Sequence, residues 1–119
     1  MEWASKLWGR TRRLLLLPHL QLDEAEGLAG GASSLHKHRE KHNAFLVLSG
    51  GLDLFVPFGD REIIWTRLAP RDCVTIPAGT KHRMVFLTEC RLLEIYTAMG
   101  LGPVDPEDIV RFDEGRAPK

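Results

Sequence analysis

Three histidines in this 119-residue chain have a spacing that suits metal binding. His36 and His38 are two residues apart, so on a β-strand their side chains project from the same face. His82 follows Pro77 and Gly79, which suit a tight turn that delivers the histidine to the start of the next strand. Neutral imidazole binds zinc, iron, nickel and manganese to differing degrees. The pattern therefore predicts that His36, His38 and His82 hold one divalent transition metal, and it does not distinguish among these four metals.

Asn43 and His42, which lie between His38 and His82 in the sequence, are the other candidate ligands of the ion. Three protein ligands leave open positions, as in catalytic rather than closed structural sites. Asn43 can supply a carbonyl oxygen as a weak fourth group, and because it carries no charge the site should attract an anionic ligand such as a carboxylate or phosphate. In a regular strand Asn43 faces inward and His42 outward, whereas a β-bulge exchanges the two, so His42 stays an alternative.

The elements that must position these residues are short alternating segments separated by turn residues, a pattern typical of β-strands in a sandwich or barrel. The pattern predicts an all-β, single-domain jelly roll of Greek-key type with little helix. Within residues 1–119 we expect an N-terminal arm (1–9), a barrel (10–97) and a tail (98–119). Strands are predicted over residues 10–17, 19–22, 35–38, 44–48, 52–56, 63–68, 73–76, 83–87 and 91–97.

Three connecting segments carry their own predictions. Residues 23–32 are acidic and then glycine-rich, which indicates a loop. Glu40 and Lys41 are expected to be exposed in the connector between two strands. Asp105 followed by Pro106 resembles a helix start, so one helical turn is predicted through Val110.

The amino-acid composition indicates which partners and which cellular compartment to expect. Sixteen basic and sixteen acidic residues balance, so no bulk field favours nucleic acid or an anionic membrane. No stretch approaches the roughly 20 apolar residues of a membrane helix. Cys73 and Cys90 are too few for a disulfide scaffold, which favours reduced thiols and a cytoplasmic location.

The two histidine-bearing stretches resemble the two sequence motifs of the cupin superfamily. The positions in register with those motifs are Gly30, His36, His38, Gly50, Pro77, Gly79 and His82. Three positions depart from them: Asn43 replaces the glutamate of the first motif, and Arg71 and Phe86 replace the glycine and asparagine of the second. The resemblance implies a cupin β-barrel with a metal among the motif histidines.

A narrower resemblance covers residues 8–116. Trp8-Gly9, Ser34-Leu35 and the acidic 108–116 segment are similar to the cupin domain of type II mannose-6-phosphate isomerases. This implies a small sugar-like or anionic substrate, isomerase or epimerase chemistry, and an anion-binding role for Arg111. His36 stands where that family has glutamine, and the 41–45 segment lacks its glutamate.

Several functions stay open at this point. An isomerase needs a base to move a proton, and the candidates are Glu94, His42 or a metal-bound hydroxide. Met84 and Phe86 share a strand face with His82 and are candidate substrate-binding residues that line the barrel. The alternatives are an iron(II)-dependent, dioxygenase-like three-histidine cupin and a non-catalytic ligand-binding or accessory cupin.

The aromatic residues and the edge strands suggest self-association. A barrel this small is not expected to bury all the apolar surface of its three tryptophans, Trp3, Trp8 and Trp65. Exposed apolar patches often mark interfaces. Edge strands can also pair between copies. We therefore expect a homodimer that binds a small molecule.

Overall fold

The computed structural model describes residues 2–119, and the regular secondary structure of these residues consists of eleven β-strands. In chain order they are β1 (Ala4–Lys6), β2 (Gly9–Leu17), β3 (Leu20–Gly27), β4 (His36–Lys37), β5 (Lys41–Ser49), β6 (Leu52–Phe58), β7 (Arg61–Leu68), β8 (Cys73–Ile76), β9 (Arg83–Phe86), β10 (Cys90–Ala98) and β11 (Val110–Arg111). None of these residues forms a helix. The predicted all-β jelly roll is confirmed.

The strands form two layers in which every neighbouring pair is antiparallel. One sheet has six strands in the order β1-β2-β3-β10-β5-β8. The other layer contains the three strands β7-β6-β9 and the pair β11-β4. A bridge between His36 and His82 joins β4 to the segment that leads into β9. Since β4 and the start of β9 meet at this bridge, the two histidine-bearing stretches become neighbours although they are far apart in sequence.

The inward faces of the long strands change from apolar to polar along their length. On β5 the buried positions are Lys41, Asn43, Phe45 and Val47, and on β10 they are Cys90, Leu92, Glu94 and Tyr96. The apolar ends pack against buried leucines of β6 to form the core. The polar ends of the same faces lie together at the other end of the barrel. Strict period-two alternation therefore places a polar chamber directly beside the hydrophobic core.

The predicted loop over residues 23–32 is wrong for its first half. β3 continues to Gly27, because it is paired on one side with β2 and on the other with β10. Glu24 does not interrupt the strand, since its carboxylate accepts hydrogen bonds from Arg12 and Arg91 on the two neighbouring strands, at 2.8 Å each. Cross-strand ion pairs thus replace the apolar contacts that the acidic sequence lacks.

The predicted helical turn over residues 105–110 is also wrong. Asp105 instead closes a tight turn, in which its carbonyl accepts the amide of Asp108 at 3.1 Å and its side chain accepts the amide of Glu107 at 2.9 Å. The chain then extends into β11, where Val110 pairs with Lys37. Strand pairing with β4 satisfies the backbone groups that a helix would otherwise have satisfied internally.

Two of the three tryptophans are accounted for within the chain itself. Trp8 is buried and stacks on Phe86 with ring centroids 5.2 Å apart, so Phe86 is a core residue. Trp3 is covered by the guanidinium groups of Arg10 and Arg12, at 4.1 and 4.4 Å from its ring centroid. Trp65 is 48% exposed. Residues 2–119 contain no helix long and apolar enough to span a membrane.

Candidate metal centre

The structure brings His36, His38 and His82 into one buried cluster. One ring nitrogen from each histidine lies within 4.8 Å of the corresponding nitrogens of the other two. The ring centroids are separated by 4.4 Å between His36 and His82, 5.1 Å between His36 and His38, and 5.6 Å between His38 and His82. These distances are short enough for a single ion to contact all three rings.

The turn before His82 also contacts the first motif. Gly79 has φ near +84°, which suits the third position of a type II turn and disfavours other residues. Its amide donates to the carbonyl of His38 at 2.6 Å, and Thr80 donates to Pro77 at 3.2 Å to close the turn. The turn therefore holds the backbone of His38 as well as delivering His82.

Each histidine of the cluster donates a hydrogen bond from Nδ1 to a backbone carbonyl. The acceptors are Ser34 for His36 at 2.7 Å, Asp108 for His38 at 2.7 Å and Thr80 for His82 at 2.9 Å. A carbonyl oxygen can only accept, so Nδ1 must carry the proton and Nε2 must carry the lone pair. Backbone contacts of this kind select the metal-binding tautomer in known metal sites.

The Nε2 atoms of His38 and His82 are buried and have no hydrogen-bond partner within residues 2–119. Buried polar atoms are almost always paired, so two orphaned lone pairs side by side require an explanation. A metal ion would satisfy both. The donor set therefore fits a divalent transition metal, for which neutral imidazole is a suitable ligand.

Burial keeps all three rings neutral. Desolvation lowers the pKa of His38, lowers that of His36 well below its ordinary value of 6.5, and lowers that of His82 to about 4. The proximity of His82 lowers the pKa of His36 further. Since a protonated imidazole cannot bind a metal, this environment keeps the cluster in its binding form at neutral pH.

Asn43 faces the interior and His42 faces away from it. Asn43 is fully buried, and its Oδ1 has no hydrogen-bond partner among the described residues. His42 lies on the opposite face of β5, where its Nδ1 accepts the amide of Ala78 at 3.0 Å. β5 pairs without a bulge from Lys41 to Leu46, so the strand is regular here. The structure therefore places His42 outside the histidine cluster.

A cavity of about 810 Å³ opens from the cluster to the surface. The residues that line it include His36, His38, Met84, Glu94 and Tyr96. Arg111, an exposed residue of β11, also lines this cavity. Phe86 does not line it and belongs to the hydrophobic core instead.

Glu94 lines this cavity, and its pKa is raised. It is 5% exposed, and its pKa rises to about 7, first because of burial and second because of the nearby carboxylate of Asp23. A hydrogen bond from Tyr96 and the charge of Lys41 oppose that rise. The Tyr96 ring in turn contacts His38, with centroids 5.1 Å apart.

Lys41 is a cavity residue that the sequence prediction missed. It was expected to be exposed, but it is 2% exposed and its Nζ donates to Gln21 at 3.2 Å and to the carbonyl of Asp105 at 2.8 Å. Nζ also lies 4.3 Å from the centroid of the Tyr96 ring. The available signal was the period of two that connects Lys41 with Asn43 on β5.

The sequence comparison assigns the family. Residues 26–96 match the family model described as the cupin domain, which is more than half of the chain. The protein therefore belongs to the cupin family. No curated protein sequence shows significant similarity to it.

Three solved structures illustrate the shared fold. KdgF from Halomonas sp. is 17% identical with a TM-score of 0.69, covering 82% of this chain and 88% of that one. Oxalate decarboxylase from Bacillus subtilis is 15% identical with a TM-score of 0.75, covering 93% of this chain and 30% of that one. A conserved Klebsiella pneumoniae protein with a double-stranded β-helix domain is 16% identical with a TM-score of 0.66, covering 83% and 75%. The chain thus spans about a third of the decarboxylase.

Proposed function

We propose that this cupin holds one divalent transition metal through His36, His38 and His82 and acts on or binds a small sugar-like or anionic metabolite. The observation that carries the proposal is the pair of buried, unpartnered Nε2 atoms of His38 and His82. The 810 Å³ cavity, which His36 and His38 line, offers a small molecule a route to the cluster. Its volume is within the usual range for ligand pockets, about 300–1,000 Å³.

The chain's own residues support proton transfer near the cluster. A bound ion would supply Lewis-acid polarisation of a carbonyl or hydroxyl oxygen of the ligand. Glu94 has a pKa of about 7, so near neutral pH it can both hold and release a proton, as a general acid or base requires. Glu94 is therefore our candidate base, whereas His42 lies on the outer face of β5 and is a weaker candidate.

The reaction class that fits these residues is isomerisation or epimerisation of a hydroxylated metabolite. This assignment rests on Glu94 and on the resemblance of the tail to sugar isomerases. Met84 would contact the apolar part of such a ligand, and Arg111 an anionic part. An iron(II)-dependent, dioxygenase-like activity is the second candidate, because imidazole also binds iron and three protein ligands would leave positions open on the ion.

The metal itself is the first property to test. Zinc, manganese, iron and nickel are the candidates, and one of the structural neighbours, the Bacillus subtilis oxalate decarboxylase, contains Mn(II) centres. Elemental analysis of tag-free protein should find close to one equivalent of one of these metals. Metal-free protein that also fails to bind added zinc or manganese would contradict the proposal and favour an accessory role.

We also propose that the protein forms a homodimer. β1 covers only Gly9, Arg10 and Thr11 of β2, and the rest of that edge has no strand neighbour within residues 2–119. The uncovered stretch carries four consecutive leucines, residues 14–17, that are 40–49% exposed. An apolar open edge is prone to pairing, and an antiparallel second copy would cover both its backbone groups and its leucines.

A further inference from the structure

The C-terminal strap, residues 105–113, runs beside the strand that carries two of the clustered histidines. In the strap Val110 pairs with Lys37, and Arg111 pairs with His36. Beyond this pair, the amide of Phe112 donates to the carbonyl of Leu35 at 2.8 Å. The strap is thus the direct sheet neighbour of the first histidine motif.

Asp108 is the residue of the strap that holds the end of that motif. Its Oδ1 accepts the amide of Arg39 at 2.9 Å, and its Oδ2 accepts the amide of Glu40 at 2.8 Å. Its backbone carbonyl accepts Nδ1 of His38 at 2.7 Å. One residue therefore binds three consecutive residues of the motif through all three of its oxygen atoms.

His38 differs from the other two histidines in where its acceptor comes from. His36 and His82 donate to Ser34 and Thr80, which lie two residues before them in the same loops. His38 donates to Asp108, which is 70 residues away in sequence. The orientation and tautomer of His38 thus depend on the strap being docked, whereas those of His36 and His82 are set locally.

We propose that Asp108 is a positioning residue of the metal centre and that strap docking and metal binding stabilise each other. The carboxylate anchors the strap against Arg39 and Glu40, and the anchored carbonyl keeps the proton of His38 on Nδ1, so that Nε2 is available to the ion. Because coupling between two binding events is reciprocal, a bound ion must also strengthen the docking of the strap. The proposal rests on the proposed metal site.

The test compares Asp108→Ala with Glu107→Ala. Both variants remove one acidic side chain from the same turn, but the Glu107 side chain is exposed and makes no hydrogen bond among the described residues. Zinc affinity is measured by competition with a chelator. Loss of a residue that supports a metal ligand typically lowers metal affinity by about 10–100-fold, so we expect this loss in Asp108→Ala and an unchanged affinity in Glu107→Ala.

A second measurement needs no metal. Long-range ¹H–¹⁵N correlation spectra of the metal-free protein report which nitrogen of each histidine carries the proton. In Asp108→Ala, His38 should lose its Nδ1-protonated pattern, while His36 and His82 keep theirs. If wild-type protein binds no zinc, the proposed function fails, but this spectrum still decides whether Asp108 positions His38. An unchanged His38 pattern in a folded Asp108→Ala protein would overturn the positioning role.

The reciprocal effect is measured by hydrogen exchange. Zinc should slow exchange of the Arg39, Glu40 and Phe112 amides in the wild type, and these amides should respond much less in His38→Ala. Equal exchange with and without saturating zinc would refute the coupling. If Asp108→Ala does not fold, Asp108→Asn retains the shape and one acceptor oxygen, and it should show an intermediate loss of zinc affinity. An Asp108→Asn protein with wild-type affinity would also count against the proposal.

Discussion

His36 and His82 are joined by a reciprocal pair of backbone hydrogen bonds, from His36 N to His82 O at 3.0 Å and from His82 N to His36 O at 2.9 Å. This is the bridge at which β4 meets the start of β9. Two proposed metal ligands are therefore held by the backbone of the fold, independently of any ion. Because the ligands are organised in advance, metal binding need not order the barrel.

His38→Ala is expected to lose most zinc binding and keep the fold, because it removes one of three clustered ligands from a barrel with a separate apolar core. His19→Ala is the matched control, since His19 is an exposed histidine outside the cluster. The measurement is zinc titration of metal-free protein, with circular dichroism to check folding. Equal affinity in wild type and His38→Ala would mean that the histidine cluster is not a metal site.

Asn43→Glu is expected to tighten zinc binding and to destabilise the metal-free protein. Asn43 is fully buried and faces the interior, so a carboxylate there would offer the ion a charged ligand. Without the ion, the same carboxylate would be a buried, unpaired charge or would take up a proton, and either outcome costs stability. The measurement is zinc affinity together with thermal unfolding of the metal-free form. His42→Glu should not tighten zinc binding, and tighter binding in that variant would indicate that our register for β5 is wrong.

Glu94→Gln is expected to change how stability depends on pH. Folding raises the pKa of Glu94 from 4.5 to about 7, so between these values the folded state holds a proton that the unfolded state has released. The contribution of Glu94 is thus fully present below pH 4.5 and is lost as pH rises through about 7. At about 1.4 kcal/mol per pKa unit, the loss is roughly 3 kcal/mol.

This contribution is measured as the difference in unfolding free energy between wild type and Glu94→Gln across that pH window, using metal-free protein. Taking the difference cancels the titrations of groups that do not interact with Glu94. Glu89→Gln, the same change at an exposed glutamate directly before the same strand, is the matched control. A wild-type profile in Glu94→Gln would show that Glu94 has an ordinary acidity.

The dimer prediction is tested by light scattering. Wild-type protein should have about twice the chain mass of 13.4 kDa. Leu16→Glu places a charge in the middle of the uncovered edge of β2, so it should favour the monomer. Leu101→Glu changes a fully exposed leucine in the tail and should remain dimeric. A wild-type mass near that of one chain over a wide concentration range would exclude the dimer.

Local periodicity in the sequence was enough to predict most of the strands and the faces of several site residues, but it missed β1, β11 and the part of β3 beyond Leu22. The i, i+2 spacing of His36 and His38 and the inward face of Asn43 follow from the pleat, which depends on the residues of one strand alone. The same rule would have placed Lys41 inside, but the strand was predicted to begin at Ala44, which left Lys41 in a connector, whereas β5 begins at Lys41. The structure shows that Gln21 and the carbonyl of Asp105 supply the partners that a buried ammonium group needs.

The sequence by itself therefore determined the fold class, the family motifs and the set of histidines that face one another. The tertiary structure alone decided the acidity of these histidines and of Glu94 and the tautomer of His38, because these properties depend on neighbours that come from distant parts of the chain. Asp23 and Lys41 reach Glu94 only through the pairing of β10 with β3 and β5. Asp108 reaches His38 only because the strap pairs with β4 instead of forming a helix. No local pattern encodes these registers, since each depends on packing across the whole barrel.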